Sequence, residues 1–292
     1  MLSTPRQRTH RPESGHGSNR WAGAFSFEGY GAVITLRASD ASVLAALPRV
    51  LPPGARPSGA LSFSRAADAL YSVVATPATP TRGVAPAHVL FEGSRRIAES
   101  ADLDALLARL ESEVHFKVAL ASRTRLFVHA GVVGWRGTAI LVPGRTHTGK
   151  STLVAALVRA GATYYSDEYA VLDDAGLVHP FARPLGIRDD RGRTHPVSAA
   201  SLGATVAGAA APVGLVISTR HVAGARWRPT PMSPGETVLA LLENTVAARR
   251  RPADALRMLG AAVAKARALR GVRGDAARVA EQILASSPST ST

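Results

Sequence analysis

The sequence predicts an α/β fold, with a small α+β portion ahead of the core and helices behind it. Three observations support this. Short apolar runs, Leu126 to Val133, Thr138-Ala139-Ile140-Leu141-Val142 and Pro212 to Ser218, have the length and composition of buried strands. Segments with helical spacing, 103–121 and 152–160, alternate with them. A glycine-bounded turn, Gly144 to Gly149, joins one such strand directly to one such helix.

Along the chain, residues 1–20 are polar and aperiodic and read as a disordered tail. Residues 21–122 read as the α+β portion. Strand patterns over Ala24 to Phe27 and Ala32 to Leu36 flank a Glu28-Gly29-Tyr30-Gly31 turn. Ser39-Asp40 can cap a short helix that Pro48 stops. Leu61 to Ser64, Ala69 to Val74 and His88 to Phe91 read as further strands, with a loop over 76–86. Asp102 caps an amphipathic helix from Leu103 to Ala121, with Leu103, Leu106, Leu107, Leu110, Val114, Phe116 and Val118 on its apolar face.

Residues 123–248 read as the core. Gly134 to Gly137 turns the first core strand into the second, and Gly161 stops the helix after the glycine turn. Ala162 to Glu168 and Tyr169 to Leu172 are strand-like, broken by the pair Asp167-Glu168, and Asp173 to Gly176 is a hairpin turn. A polar loop lies around 189–192. Ser233, Pro234 and Glu236 form a capping box that starts a helix running to about Ala248. Residues 249–285 read as basic helices, mostly helical from Ala253 to Leu284, and 286–292 as a tail.

The chain has 292 residues, 46% of them hydrophobic, enough for one large domain or two modest ones. It contains no cysteine, which excludes disulfides and thiolate metal sites. No apolar run approaches the roughly 20 residues of a membrane helix, and the N-terminus has no signal-peptide core. The expectation is a cytoplasmic protein without a membrane partner. The net charge of +14 comes nearly all from arginine, since the only lysines are Lys117, Lys150 and Lys265. Nine basic side chains against two acidic ones fall in 249–278, a solvated helical face. No nucleic-acid motif accompanies the charge, so nucleic acid is not an expected partner.

Gly144-Arg145-Thr146-His147-Thr148-Gly149-Lys150-Ser151 matches G-x-x-x-x-G-K-[ST], the phosphate-binding loop of P-loop NTPases. The glycines let backbone N–H groups close on a phosphate. Lys150 places an ammonium on the outer phosphates, and the Ser151 hydroxyl can coordinate Mg²⁺. The loop, with Thr152 in the first helical turn, is the expected seat of ATP, strengthened by the positive end of the helix. Asp167 and Glu168 supply what a Mg·ATP site needs next, a metal-holding carboxylate and a base for an attacking hydroxyl. His129 sits in an apolar run and is a weaker candidate. Arg183 and Arg188 bracket Pro184-Leu185-Gly186-Ile187, and either can hold a phosphate bidentately.

The order His129-Ala130-Gly131-Val132, Gly144 to Ser151, Gly161, Ser166-Asp167-Glu168 and Arg183-Pro184-Leu185-Gly186-Ile187 resembles the HPr kinase/phosphorylase superfamily, in particular members with a reduced motif set. The resemblance spans about 126–245. It implies a kinase core related to phosphoenolpyruvate carboxykinase. Lys150 and Ser151 then hold phosphates and Mg²⁺, Asp167 is the first acid and metal ligand, Glu168 falls on the base, Arg183 falls on the family arginine, and His129 becomes a site residue. The chain departs from the pattern at two positions. Glu168 stands where the family has aspartate, and Phe181 stands where it has a metal-binding glutamate. The glycine-rich loop that reaches the protein substrate has no readable counterpart. The resemblance therefore carries over less well to phosphorylation of the HPr carrier and to its reversal.

The leading expectation is an ATP- and Mg²⁺-dependent kinase acting on a hydroxyl, with serine of a peptide or protein as acceptor. Two others stand beside it: an ATP-binding regulatory or assembly module that acts through the basic C-terminal segment, and a small-molecule kinase. Family members are hexamers, and the sequence leaves a homo-oligomer open.

Overall fold

The computed structural model describes residues 21–57, 66–75, 87–144, 149–189 and 191–287. The architecture is mixed α/β. The expected strand at Leu61 to Ser64, the loop at 76–86 and the N-terminal tail lie outside the described residues.

The N-terminal half builds one sheet from β1 (Gly23–Gly29), β2 (Ala32–Ala38), β3 (Arg56–Pro57), β4 (Ala69–Val74), β5 (His88–Glu92) and β6 (Arg95–Ser100), in the order β3-β1-β2-β4-β5-β6. Only β2 and β4 run parallel; the other pairs are antiparallel. Helix α1 (Ala41–Ala46) is capped by Asp40, whose carboxylate accepts from the Ser42 and Val43 N–H groups. Helix α2 (Leu103–Ala121) is capped by Asp102 in the same way. Its Leu106, Leu110, Val114 and Val118 pack on Phe27, Ile34, Leu36, Tyr71 and Leu90, all fully or almost fully buried. Each such leucine or isoleucine contributes about 1.5–3 kcal/mol. Phe116, expected on this face, is instead 43% exposed. It lies two residues from both Val114 and Val118, which turns it to the far side of the helix.

The second sheet follows the order β11-β10-β7-β8-β14-β16-β15, with β9 also paired to β7. Its strands are β7 (Leu126–Trp135), β8 (Thr138–Pro143), β9 (Thr163–Ser166), β10 (Tyr169–Leu172), β11 (Leu177–His179), β14 (Ala211–His221), β15 (Thr230–Pro231) and β16 (Arg267–Arg273). Between them, β12 (Leu185–Arg188) and β13 (Thr194–Val197) form a separate hairpin. Strands β8, β14 and β16 run parallel. Both faces of this sheet are covered, so its strands alternate between two cores rather than between core and water. Ile140, Val142, Leu215 and Ile217 face α3 (Lys150–Arg159) and α6 (Ala276–Ser286). Ala139, Leu141 and Val216 face α4 (Pro234–Leu242) and α5 (Pro252–Val263). Gly131 lets α3 approach closely, since a Cβ there would overlap the Val154 side chain. No helix among the described residues is long and apolar enough to cross a membrane.

Two expected helices are shorter than the sequence suggests. The capping box at Ser233 forms, but α4 ends at Leu242 and not near Ala248. Asn244 Nδ2 and Thr245 Oγ1 take the last carbonyls, of Ala240 and Leu241, at 2.8 and 2.9 Å. The chain then joins β7: the His129 N–H donates to the Asn244 carbonyl at 2.8 Å, and the Val246 N–H to Phe127 at 3.0 Å. The helical reading of Ala253 to Leu284 is also corrected, because β16 separates α5 from α6. The Arg-Ala-Leu composition of β16 favours helix locally, but its ladder with β14, from Leu215↔Arg267 to His221↔Arg273, overrides that preference.

Candidate functional site

Parallel strands β8, β14 and β16 end on one side of the sheet, at Pro143, His221 and Arg273. The crevice beyond the carboxyl ends of parallel strands is where α/β sheets hold ligands. Gly144 follows β8 at this end, and Gly149 precedes α3. Gly144 donates its N–H to the His129 carbonyl at 3.1 Å, tying the start of the turn to β7. Arg145, Thr146, His147 and Thr148 lie outside the described residues. Gly149 has φ +79° and is the N-cap of α3 without a side-chain cap. The N-terminus of such a helix is a place that suits an anion. Lys150, Ser151 and Thr152 form the first turn.

The acid pair is placed by a break in one strand. Strands β9 and β10 both pair with β7, through Ser166↔Val132 and Tyr169↔His129, and the two residues between them bend out of the strand, although the Glu168 carbonyl still accepts the Ala130 N–H at 3.2 Å. Buried Ser166 folds this bulge by accepting the Glu168 and Tyr169 N–H groups at 3.1 and 3.0 Å. Asp167 is then anchored by two donors on one oxygen. Its Oδ2 accepts from Ser151 Oγ at 2.9 Å and from the Gly186 N–H at 3.0 Å. Its Oδ1 lies 3.2 Å from the Tyr164 hydroxyl, which also reaches the Arg183 carbonyl at 2.8 Å.

Arg183 is clasped between two carboxylates. Nη1 donates to Glu168, and Nη2 lies 2.7 Å from Glu111 Oε1 of α2. Burial pushes Glu168 above the usual carboxylate range, and the Arg183 guanidinium opposes the shift. Burial lowers the Lys150 ammonium, against the pull of Asp167 and Glu168. Burial also lowers His129, helped by Lys150, and its ring stacks on Tyr169 at 4.8 Å.

A cavity of about 440 Å³ joins these groups. His129, Gly149, Lys150, Ser151, Thr152, Asp167, Glu168 and Arg183 all line it, together with Ser112, Arg188 and Thr194. Every described candidate except Gly144 therefore meets in one place. Sequence reasoning missed Glu111 and Ser112, which look like ordinary polar positions on α2, and Tyr164 and Arg273.

The Ser151 hydroxyl and Asp167 carboxylate are hard oxygen donors 2.9 Å apart. Mg²⁺ typically takes one or two carboxylates plus phosphate oxygens and water, so these residues fit it. Phe181 adds nothing to such a site. It is 1% exposed and packs against Tyr30, Phe127, Tyr169 and His115 with ring centroids 5.6–6.3 Å apart. No protein-family model matches the chain, and no curated protein matches it either.

Proposed function

We propose that the chain is an ATP-dependent kinase with a P-loop core of the HPr kinase/phosphorylase type, which transfers the γ-phosphoryl group to a hydroxyl, the acceptor being a serine of a peptide or protein. The contact of Ser151 with Asp167 at 2.9 Å carries this reading, because it joins the glycine-lysine-serine turn to the acid pair in one cavity. The turn and the N-terminus of α3 seat the phosphates, and Lys150 stabilises charge on the outer ones. Mg²⁺ held by Ser151 and Asp167 would neutralise the phosphate oxygens. Asp167 Oδ2 already accepts from the Ser151 hydroxyl and the Gly186 N–H, whereas Glu168 has a raised proton affinity. Glu168 is therefore the base. It takes the proton of the acceptor hydroxyl as the new O–P bond forms and the bond to the β–γ bridging oxygen breaks, releasing ADP. Arg183, beside Glu168, meets the charge on the transferring group.

The test is transfer from γ-labelled ATP with Mg²⁺ to peptides and proteins encoded beside the gene, with Lys150→Ala in parallel. Label on serine that disappears in the variant supports the kinase. Transfer that survives Lys150→Ala removes this assignment of the site. Label on a small acceptor moves the reading to a small-molecule kinase, for which the cavity of about 440 Å³ is large enough.

One observation favours an ATP-binding module with little transfer. Phe181 occupies a closed aromatic cluster, so that position offers no further carboxylate. Labelled phosphate released without a labelled acceptor would support it.

A further inference from the structure

Arg273 lies directly against Gly149, and no step above uses it. It ends β16, is 2% exposed, and projects beneath Gly149. Nη2 donates to the Gly149 carbonyl at 2.7 Å, and Nη1 to the Gly274 carbonyl at 3.3 Å. The Nε–H is buried and has no acceptor among the described residues. A buried cation with an unsatisfied donor costs free energy, so its place beneath an anion seat calls for a function.

Gly149 and Arg273 also constrain each other. A Cβ on residue 149 would stand 2.6 Å from Arg273 Nη2, and φ +79° already disfavours a side chain there. The Gly149 carbonyl accepts from both the guanidinium and the Leu153 N–H, at 2.7 and 3.1 Å, so Arg273 holds the residue at which α3 starts.

We propose that Arg273 is a positioning residue for polyphosphate: it holds the Gly149 carbonyl from behind and fixes the N-terminus of α3 as the seat for the phosphates of a nucleoside triphosphate. This rests on the nucleotide reading above. It makes β16 part of the site, although none of its residues lines the cavity.

The experiment measures affinity for ATP and for inorganic tripolyphosphate, with a thermal melt on each protein. The proteins are wild type, Lys150→Met, Arg273→Lys, Arg273→Ala, Gly149→Ala and the Arg273→Ala/Gly149→Ala pair. A lost charge-assisted hydrogen bond is worth about tenfold or more in affinity. Arg273→Lys keeps the charge but not the fork, and is expected to weaken both ligands by about that factor. Guanidinium ion at low concentration restores binding to Arg273→Ala, and the double variant loses less than the two single losses combined. The proposal is overturned if the Arg273 variants melt earlier yet bind both ligands within about twofold of wild type. Additive losses in the pair overturn it too. If Arg273→Ala does not fold, Arg273→Lys and Gly149→Ala decide. A wild type that binds neither ligand sinks the nucleotide reading and this inference together. Binding that Lys150→Met weakens and Arg273→Lys does not sinks this inference alone.

Discussion

Ser151 and Asp167 lie 16 residues apart in the chain, and the serine hydroxyl donates to Asp167 Oδ2 at 2.9 Å. The helix after the glycine turn and the bulge between β9 and β10 thus share one bond at the centre of the cavity. The two partners differ in what else depends on them. Ser151 has this bond in the cavity, whereas Asp167 also holds the Gly186 N–H.

Substitution should separate these roles. Asp167→Ala leaves the Gly186 donor unpaired and is expected to cost about 1–3 kcal/mol of stability along with transfer activity. Ser151→Ala is expected to lower transfer at least about tenfold while keeping stability within about 0.5 kcal/mol. Urea unfolding alongside the labelled-ATP assay checks both. Equal destabilisation by the two would contradict the distinction.

In the proposed reaction the pH profile would report on Glu168. A base is active when deprotonated, and burial raises this carboxyl, so the rate is expected to rise with pH through a midpoint above the usual carboxylate value of about 4.3. Glu111 adds a further upward push. Glu111→Gln removes that push and leaves Arg183 to Glu168 alone. The acid limb should therefore move to lower pH, with little change in stability because the pair is partly exposed. An acid limb that stays put in Glu111→Gln would show that Glu111 has no hold on the base.

Phe181→Glu puts a carboxylate where the resemblance expects a metal ligand. In this chain the position is closed by aromatic rings, and the ring among them that could pair with the new charge, His115, is one whose charged form burial disfavours. The expected outcome is a loss of at least about 3 kcal/mol of stability and no gain in transfer. A stable, more active variant would mean that this cluster opens readily.

His115, on α2 and 1% exposed, gives a separate acid-stability signal. Burial, then the Arg183 charge, lowers its pKa from 6.5 to about 3. The folded chain then binds fewer protons than the unfolded chain between those values. The contribution is fully present above pH 6.5 and is lost as pH falls toward 3, at about 1.4 kcal/mol per unit. His115→Leu should flatten the fall in stability between pH 6.5 and 4.5, read from urea midpoints. An unchanged slope would assign the acid lability elsewhere.

Much of the site is local in sequence and was legible for that reason. Strand β8 and helix α3 flank the glycine motif between Thr138 and Arg159, and their spelling follows from backbone needs within a few residues. Asp167-Glu168 stood out because two acids interrupt a strand rich in tyrosine. What stayed hidden depends on partners far along the chain. Strand β16 has helix-forming residues and becomes a strand by pairing with β14, about fifty residues earlier. Arg273 is one arginine among many until that pairing sets it behind Gly149. Glu111 has the pattern of any solvent-facing helical position, and only the docking of α2 against the second sheet gives it Arg183.

Helix α2 belongs to both halves of the molecule. Leu106, Leu110, Val114 and Val118 bind it into the six-stranded sheet, while Ser112 lines the cavity and Glu111 grips Arg183 at 2.7 Å. With 19 residues it is a rod roughly 28 Å long, and a packed rod moves as a unit. A sliding of about one ångström at the first sheet would stretch the Glu111–Arg183 contact by a comparable distance and release Arg183 toward Glu168. A displacement at the first sheet would thus reach the Arg183–Glu168 contact through one helix, although none of the described residues of that sheet lines the cavity.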